Sequence, residues 1–188
     1  MKKEIRLILR VSCWAVALLC SCTSPTPTKK NAEPVVEQAI SYKDLYGEVC
    51  FKDTVLDMDL QIVNSKNKPV LLSSVVSSSK IVVRYSVYAC RECIEFTISE
   101  LAKLKERYPD VETVFLLANV PVRDIHVMRN SLFNSPIFRV DTLPLVFDKF
   151  MVPYLFRIDE SGNVSDLFVP QKELPDKTKE YLKRYVSK

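Results

Sequence analysis

Apolar positions along this chain change their spacing several times, and each change marks a new element. Val11–Cys20 (VSCWAVALLC) is an unbroken uncharged run, and Thr23–Pro34 has almost no apolar residue. From Val55 the spacing becomes that of a folded domain. Val55–Val63 alternates weakly and reads as a strand, Asn64–Pro69 as a turn, and Val70–Leu72 as a short second strand. Ser73–Lys80 is a serine-rich connection. Ile81–Val87 (IVVRYSV) is short, β-branched and aromatic, the strongest candidate for a central strand. Over Cys93–Tyr108 the period turns helical: Ile94, Ile98, Leu101, Leu104 and Tyr108 recur at steps of three and four, with Glu95, Lys103, Glu106 and Arg107 outward. Pro109-Asp110 stops that helix. Val111–Ala118 reads as a buried strand, Asp124–Phe133 as a helix with Ile125, Met128 and Leu132 inward, and Ile137–Val140 as a short strand. Tyr154–Ile158 and Val164–Val169 form a hairpin around Asp159–Asn163 (DESGN). Pro175–Val186 ends the chain as a helix, with Thr178, Tyr181, Leu182 and Tyr185 on one stripe. Val35–Phe51 supports no assignment.

Strand–helix–strand units force parallel pairing, and the hairpin adds antiparallel strands. The expectation is an α/β fold: a central mixed β-sheet with helices on both faces and an N-terminal β extension.

The first residues stand apart from this domain. Met1–Arg10 carries Lys2, Lys3, Arg6 and Arg10 against one acid, Glu4, and leads into the apolar run at Val11. That run is far shorter than the ~20 residues of a membrane-spanning helix. A basic start and a short apolar core read as a secretory signal peptide. Leu19-Cys20-Ser21-Cys22 resembles the bacterial lipobox, which implies cleavage after Ser21 and lipid attachment at Cys22. Cys20 fits less well, because Leu19 would stand where a small residue is expected. The expected organisation is residues 1–21 as lipoprotein signal peptide, 22–40 as a flexible tether rich in Pro, Thr and Lys, and 41–188 as one domain. The formal net charge is +4, and residues 1–21 carry four of the bases and one acid. The mature chain is therefore near neutral, which gives no support for nucleic-acid binding. No acidic cluster of the kind that often acts as an export cue in surface-displayed bacterial lipoproteins follows Cys22, and that resemblance implies the periplasmic side of the cell envelope.

Composition narrows the chemistry. The 188 residues contain two glycines, Gly47 and Gly162, too few for a phosphate-cradling loop or a dinucleotide fingerprint. One histidine, His126, argues against multi-histidine metal centres. Metal ligands and cofactors are thus not expected.

Four cysteines remain after cleavage: Cys22, Cys50, Cys90 and Cys93. The last two, in Cys90-Arg91-Glu92-Cys93, follow the central strand and open a helix. Unpaired N–H groups and the helix dipole there favour a thiolate, the attacking species in disulfide exchange. Three residues on, Cys93 is close enough to close a small ring. Zinc would need about four ligands, and a c-type haem would need His where Ile94 stands. A structural disulfide spanning so few residues would stabilise little. A hydrolase pairing of Cys90 with His126 is formally open, but His126 reads better as a surface or packing residue. Cys50 reads as a small buried hydrophobe.

The stretch IVVRYSVYACREC with its helix, and Val152-Pro153-Tyr154-Leu155-Phe156-Arg157-Ile158-Asp159 before the SGN turn, resemble the thioredoxin-like family over roughly residues 55–188. The likeness is to membrane-tethered thiol–disulfide oxidoreductases of the bacterial envelope. It implies Cys90 as nucleophile, Cys93 as resolving thiol, and Pro153 as a cis-proline facing the disulfide, with the Val152 backbone pairing with extended substrate. Pro144 is the rival proline. The implied partners are envelope protein thiols and disulfides and a membrane electron donor or acceptor, with no nucleic acid. Two departures stand out. Arg91-Glu92 replaces the family's frequent Gly-Pro, and the dipeptide tunes redox potential. Arg84 stands where thioredoxins carry a buried acid, and an arginine cannot act as that base. Near the pair its charge would lower the thiol pKa; otherwise its guanidinium reaches the surface or a carboxylate elsewhere. Phe115, Phe133, Phe138, Phe147, Phe150 and Phe156 read as core, whereas Tyr85 and Tyr88 are candidates to line the groove.

Overall fold

The computed structural model describes residues 54–77 and 79–186, all within one compact unit, Ala39–Lys188. The signal peptide, the Cys22 lipid site, the tether, Cys50 and residues 35–51 lie outside the described residues.

Seven strands form one mixed sheet in the order β2-β1-β5-β4-β3-β6-β7. They are β1 (Gln61–Asn64), β2 (Pro69–Leu71), β3 (Ile81–Ser86), β4 (Thr113–Ala118), β5 (Ile137–Arg139), β6 (Tyr154–Ile158) and β7 (Val164–Phe168). The helices are α1 (Arg91–Arg107), α2 (Val122–Ser131) and α3 (Pro175–Lys183). β3, β4 and β5 run parallel, and β6 pairs antiparallel with β3 in the register Arg84↔Tyr154 and Val82↔Phe156. The expected N-terminal extension is the β1–β2 hairpin, which joins the far side of β5.

The first expected strand is much shorter than Val55–Val63. The Asp57 carboxylate accepts the Asp59 N–H at 2.9 Å and turns the chain there. Ahead of this turn, residues 54–56 clasp the tip of the β6–β7 hairpin. Leu56 N–H donates to Gly162 O at 2.8 Å, and Val164 N–H to Thr54 O at 2.9 Å. Gly162 has φ +86°, and a Cβ on it would meet Leu56 O at 2.3 Å, so the position requires glycine.

The expectation of helices on both faces is corrected. Leu101 and Leu104 of α1, Ile125 of α2, and Tyr181 and Leu182 of α3 share one apolar cluster with Ile81, Val83, Phe115 and Leu117. All three helices therefore cover the same face. The other face presents Val82, Val114, Leu116 and Phe156 to Leu72, Leu143, Leu145 and Phe147. Its cover is the irregular stretch 140–152, which includes a 3₁₀ turn at Val146–Phe150. Leu143, Val146, Phe147, Phe150 and Met151 fall at three-four steps within it, but Met151 in the left-handed region ends the run after the 3₁₀ turn.

Candidate active site

β3 and β4 end side by side, and their ends build the platform for the cysteine pair. The Ser86 hydroxyl accepts the Tyr88 N–H at 3.2 Å and the Asn119 side-chain amide at 3.1 Å. Ala89 N–H donates to Ser86 O at 2.9 Å, and Val87 N–H to Ala118 O at 3.2 Å. Asn119 is in the left-handed region at φ 57°, a conformation asparagine tolerates better than most residues. This turn carries Cys90 to the cap of α1.

Helix α1 begins at Arg91, two residues earlier than the periodicity predicts, because Cys90 itself caps it. The Cys93 N–H points at the Cys90 sulfur at 3.3 Å. A backbone donor and the positive end of a 17-residue helix therefore both face that sulfur. The two cysteines form a disulfide with 5.2 Å between Cα atoms, inside the usual span for such a bridge. Cys90 is exposed and Cys93 half-buried. One accessible sulfur and one sheltered sulfur is the asymmetry that dithiol–disulfide exchange needs.

Arg91 and Glu92 are both exposed. Arg91 pairs with Glu95 one turn on at 2.8 Å. Glu92 pairs with Lys172, from the connection between β7 and α3. The hydrogen bond and charge of Lys172 hold the Glu92 carboxyl below its ordinary range, and Glu92 raises the Lys172 ammonium in return. Val152 and Pro153 immediately precede β6, on the end of the sheet where β3 delivers Cys90. Pro153 is buried and Val152 partly so, whereas Pro144 is exposed in the 140–145 loop.

Arg84 takes the second of its two readings. Its side chain lies 2% exposed on the face opposite the helices and forms a bidentate pair with Asp148, with N–O distances of 2.9 and 2.7 Å. Tyr85 is corrected from groove to core. It is 3% exposed and meets Phe115 edge-on, and burial pushes its phenol far up. Tyr88, two residues before Cys90, is 72% exposed. The named phenylalanines pack in the two clusters as expected. His126 is exposed on α2. Among the described residues, no group of three or more His, Cys, Asp or Glu side chains could hold a metal ion.

Sequence reasoning missed Lys172 and Asp148. They stand 80 and 64 positions from their partners, a separation that no local pattern reports.

No family model and no curated protein matches the chain. Solved structures do. A secreted disulfide oxidoreductase of Mycobacterium tuberculosis, described as homologous to E. coli DsbE, is 11% identical at TM-score 0.45, covering 68% of this chain and 96% of that one. A thiol peroxidase from Chromobacterium violaceum is 15% identical at TM-score 0.48, covering 74% and 90%. Copper-bound ScoI of Arabidopsis thaliana is 14% identical at TM-score 0.45, covering 70% and all of that chain.

Proposed function

We propose, for a chain that is thioredoxin-like in fold, the role of a lipid-anchored thiol–disulfide oxidoreductase of the bacterial cell envelope, held by Cys22 and facing the periplasm. The observation that carries the redox assignment is the exposed Cys90 sulfur at the cap of α1, disulfide-bonded to a half-buried Cys93. The anchor rests on the Leu19–Cys22 lipobox.

In the reduced form, the Cys93 N–H and the helix dipole stabilise a Cys90 thiolate. That thiolate attacks one sulfur of a substrate disulfide. A Cys90–substrate bond forms, the substrate S–S bond breaks, and one substrate thiolate leaves. Cys93 then gives up its proton and attacks the Cys90 sulfur. The Cys90–Cys93 bond forms and the second substrate thiolate departs. Two electrons have passed to the substrate, and a dithiol donor restores the pair. The same steps in reverse oxidise a dithiol substrate. Val152 and Pro153 bound the groove that receives the substrate, with the exposed Tyr88 on its rim.

The test is a redox titration of the full chain in detergent, with thiol alkylation followed against pH. The expected result is a reversible two-electron couple and a Cys90 thiol titrating below the free value of about 8.5. A potential near about −270 mV would place it with reductases, and one near about −120 mV with oxidants. Cys93→Ser should trap a mixed disulfide on Cys90. A pair that neither reduces nor alkylates without denaturant overturns the enzyme and leaves a binding lipoprotein. For the anchor, Cys22→Ser should abolish fatty-acid labelling and release the protein from membranes. A variant that stays labelled would move the attachment elsewhere.

A further inference from the structure

Arg84 supplies five N–H donors, and all five are used. Beyond the two bonds to Asp148, Nη1 donates to Val140 O at 2.6 Å and Leu116 O at 3.4 Å, and Nη2 to Asp141 O at 3.1 Å. Asp148 accepts two further bonds: Leu143 N–H at 2.6 Å on Oδ2, and the Tyr154 hydroxyl at 2.6 Å on Oδ1. Burial and the nearby Asp148 carboxylate hold the Tyr154 phenol well above its ordinary value, so it stays protonated as the donor.

The grouping of these partners is what matters. Except for Leu116 O, everything the Arg84–Asp148 pair fastens lies between Val140 and Tyr154. That stretch ends at the Val152–Pro153 turn, and Tyr154 is the residue after Pro153 and the register partner of Arg84 across β3 and β6. Met151, which ends the 3₁₀ turn just before Val152, is in the left-handed region at φ 53°. The turn is thus held in an uncommon backbone shape next to a buried polar knot. A buried ion pair is often replaceable by apolar packing without loss of stability, so its worth here lies in placement.

We infer that Arg84, Asp148 and Tyr154 form a latch that positions the Val152–Pro153 turn for an extended protein substrate. They are positioning residues: they set how well a polypeptide disulfide seats, not how reactive the Cys90 sulfur is. This inference rests on the redox reading of the cysteine pair.

The discriminating variant is Tyr154→Phe in the full chain. It removes one hydroxyl and strands no acceptor, since Arg84 Nε still donates to Asp148 Oδ1. Reduction of insulin, a polypeptide disulfide, is compared with reduction of 5,5′-dithiobis(2-nitrobenzoate), a small disulfide that needs no groove. The expected result is a rise of about ten-fold in KM for insulin, the lower end for one hydrogen bond to a charged group. The insulin kcat and the small-disulfide rate should hold. Arg84→Lys, which keeps the charge but loses the fork, should raise the same KM further. An unchanged insulin KM in Tyr154→Phe overturns the latch, as does an equal loss on both substrates. A wild-type chain inert toward both disulfides overturns the redox reading first.

Discussion

The two faces of this sheet are covered by different means. On one, three helices lay Leu101, Leu104, Ile125, Tyr181 and Leu182 onto the strands. A helix satisfies its own backbone, so only apolar area has to match. On the other, residues 140–152 cross the sheet without a helix, and their carbonyls need donors from elsewhere. Arg84 is that donor. The comparison teaches that a charged residue in a central strand can stand in for a missing helix.

Substitutions on each face break or sharpen this contrast. The largest expected effect is Arg84→Met, which leaves the part-buried Asp148 charge without its cation and the carbonyls of Val140, Asp141 and Leu116 without this donor. It should cost about 3–5 kcal/mol in denaturant unfolding. Adding Asp148→Leu should lose less than the sum of the two single changes, because the stranded charge goes too. Strict additivity would mean that the two side chains act independently. On the helical face, Leu101→Ala should cost about 2–5 kcal/mol through its cavity, and Leu101→Met under about 1.5 kcal/mol. Chemical likeness should not rescue the other face in the same way, since Arg84→Lys cannot reproduce the fork. If both conservative changes cost the same, the two faces are not held differently.

Smaller effects are expected at the ends of the sheet. Lys172→Ala removes the cation that neutralises Glu92 between the two cysteines. The bare carboxylate should raise the Cys90 thiol pKa and slow its alkylation at neutral pH by a few-fold, with stability nearly unchanged. Equal alkylation rates at every pH would remove Lys172 from the site. The smallest effect is in acid. The Asn163 side chain, with the Asn163 and Ser161 backbone N–H groups, holds the Asp159 carboxyl below its ordinary range. A carboxyl depressed in the folded state stabilises above its unfolded pKa, and that contribution is lost as pH falls through the folded value. Asp159→Asn should therefore flatten slightly the acid limb of the stability profile below about pH 4, and an unchanged limb would clear the turn of any part in it.

The same contrast decides what the sequence could reveal. Ile94, Ile98, Leu101 and Leu104 announce α1, and Ile81–Val87 announces β3, because periodicity reports a regular element packed on a surface. The cysteine pair is legible for the same reason, since it sits at a junction between two periods. Residues 140–152 place Leu143, Val146, Phe147, Phe150 and Met151 at three-four steps over too short a run to announce a helix, and the 3₁₀ turn within them was not foreseen. The fate of Arg84 was open between two readings, because its carboxylate partner lies 64 residues away. The start of α1 at the cysteine pair was legible from the junction of the two periods, although the apolar stripe itself begins only near Cys93. Lys172 gave no signal, since an ion pair across 80 residues depends on how the start of α1 meets a distant loop.

The clasp at Gly162 has one more consequence. β6 starts at the disulfide end and runs away from it, so the hairpin tip held by Thr54–Leu56 lies at the opposite end, about 16 Å off along five residues. The described chain thus comes into the sheet at the pole opposite the cysteine pair. Within the described residues, the clasp and the disulfide stand at opposite poles of one sheet, like the handle and the tip of a tool.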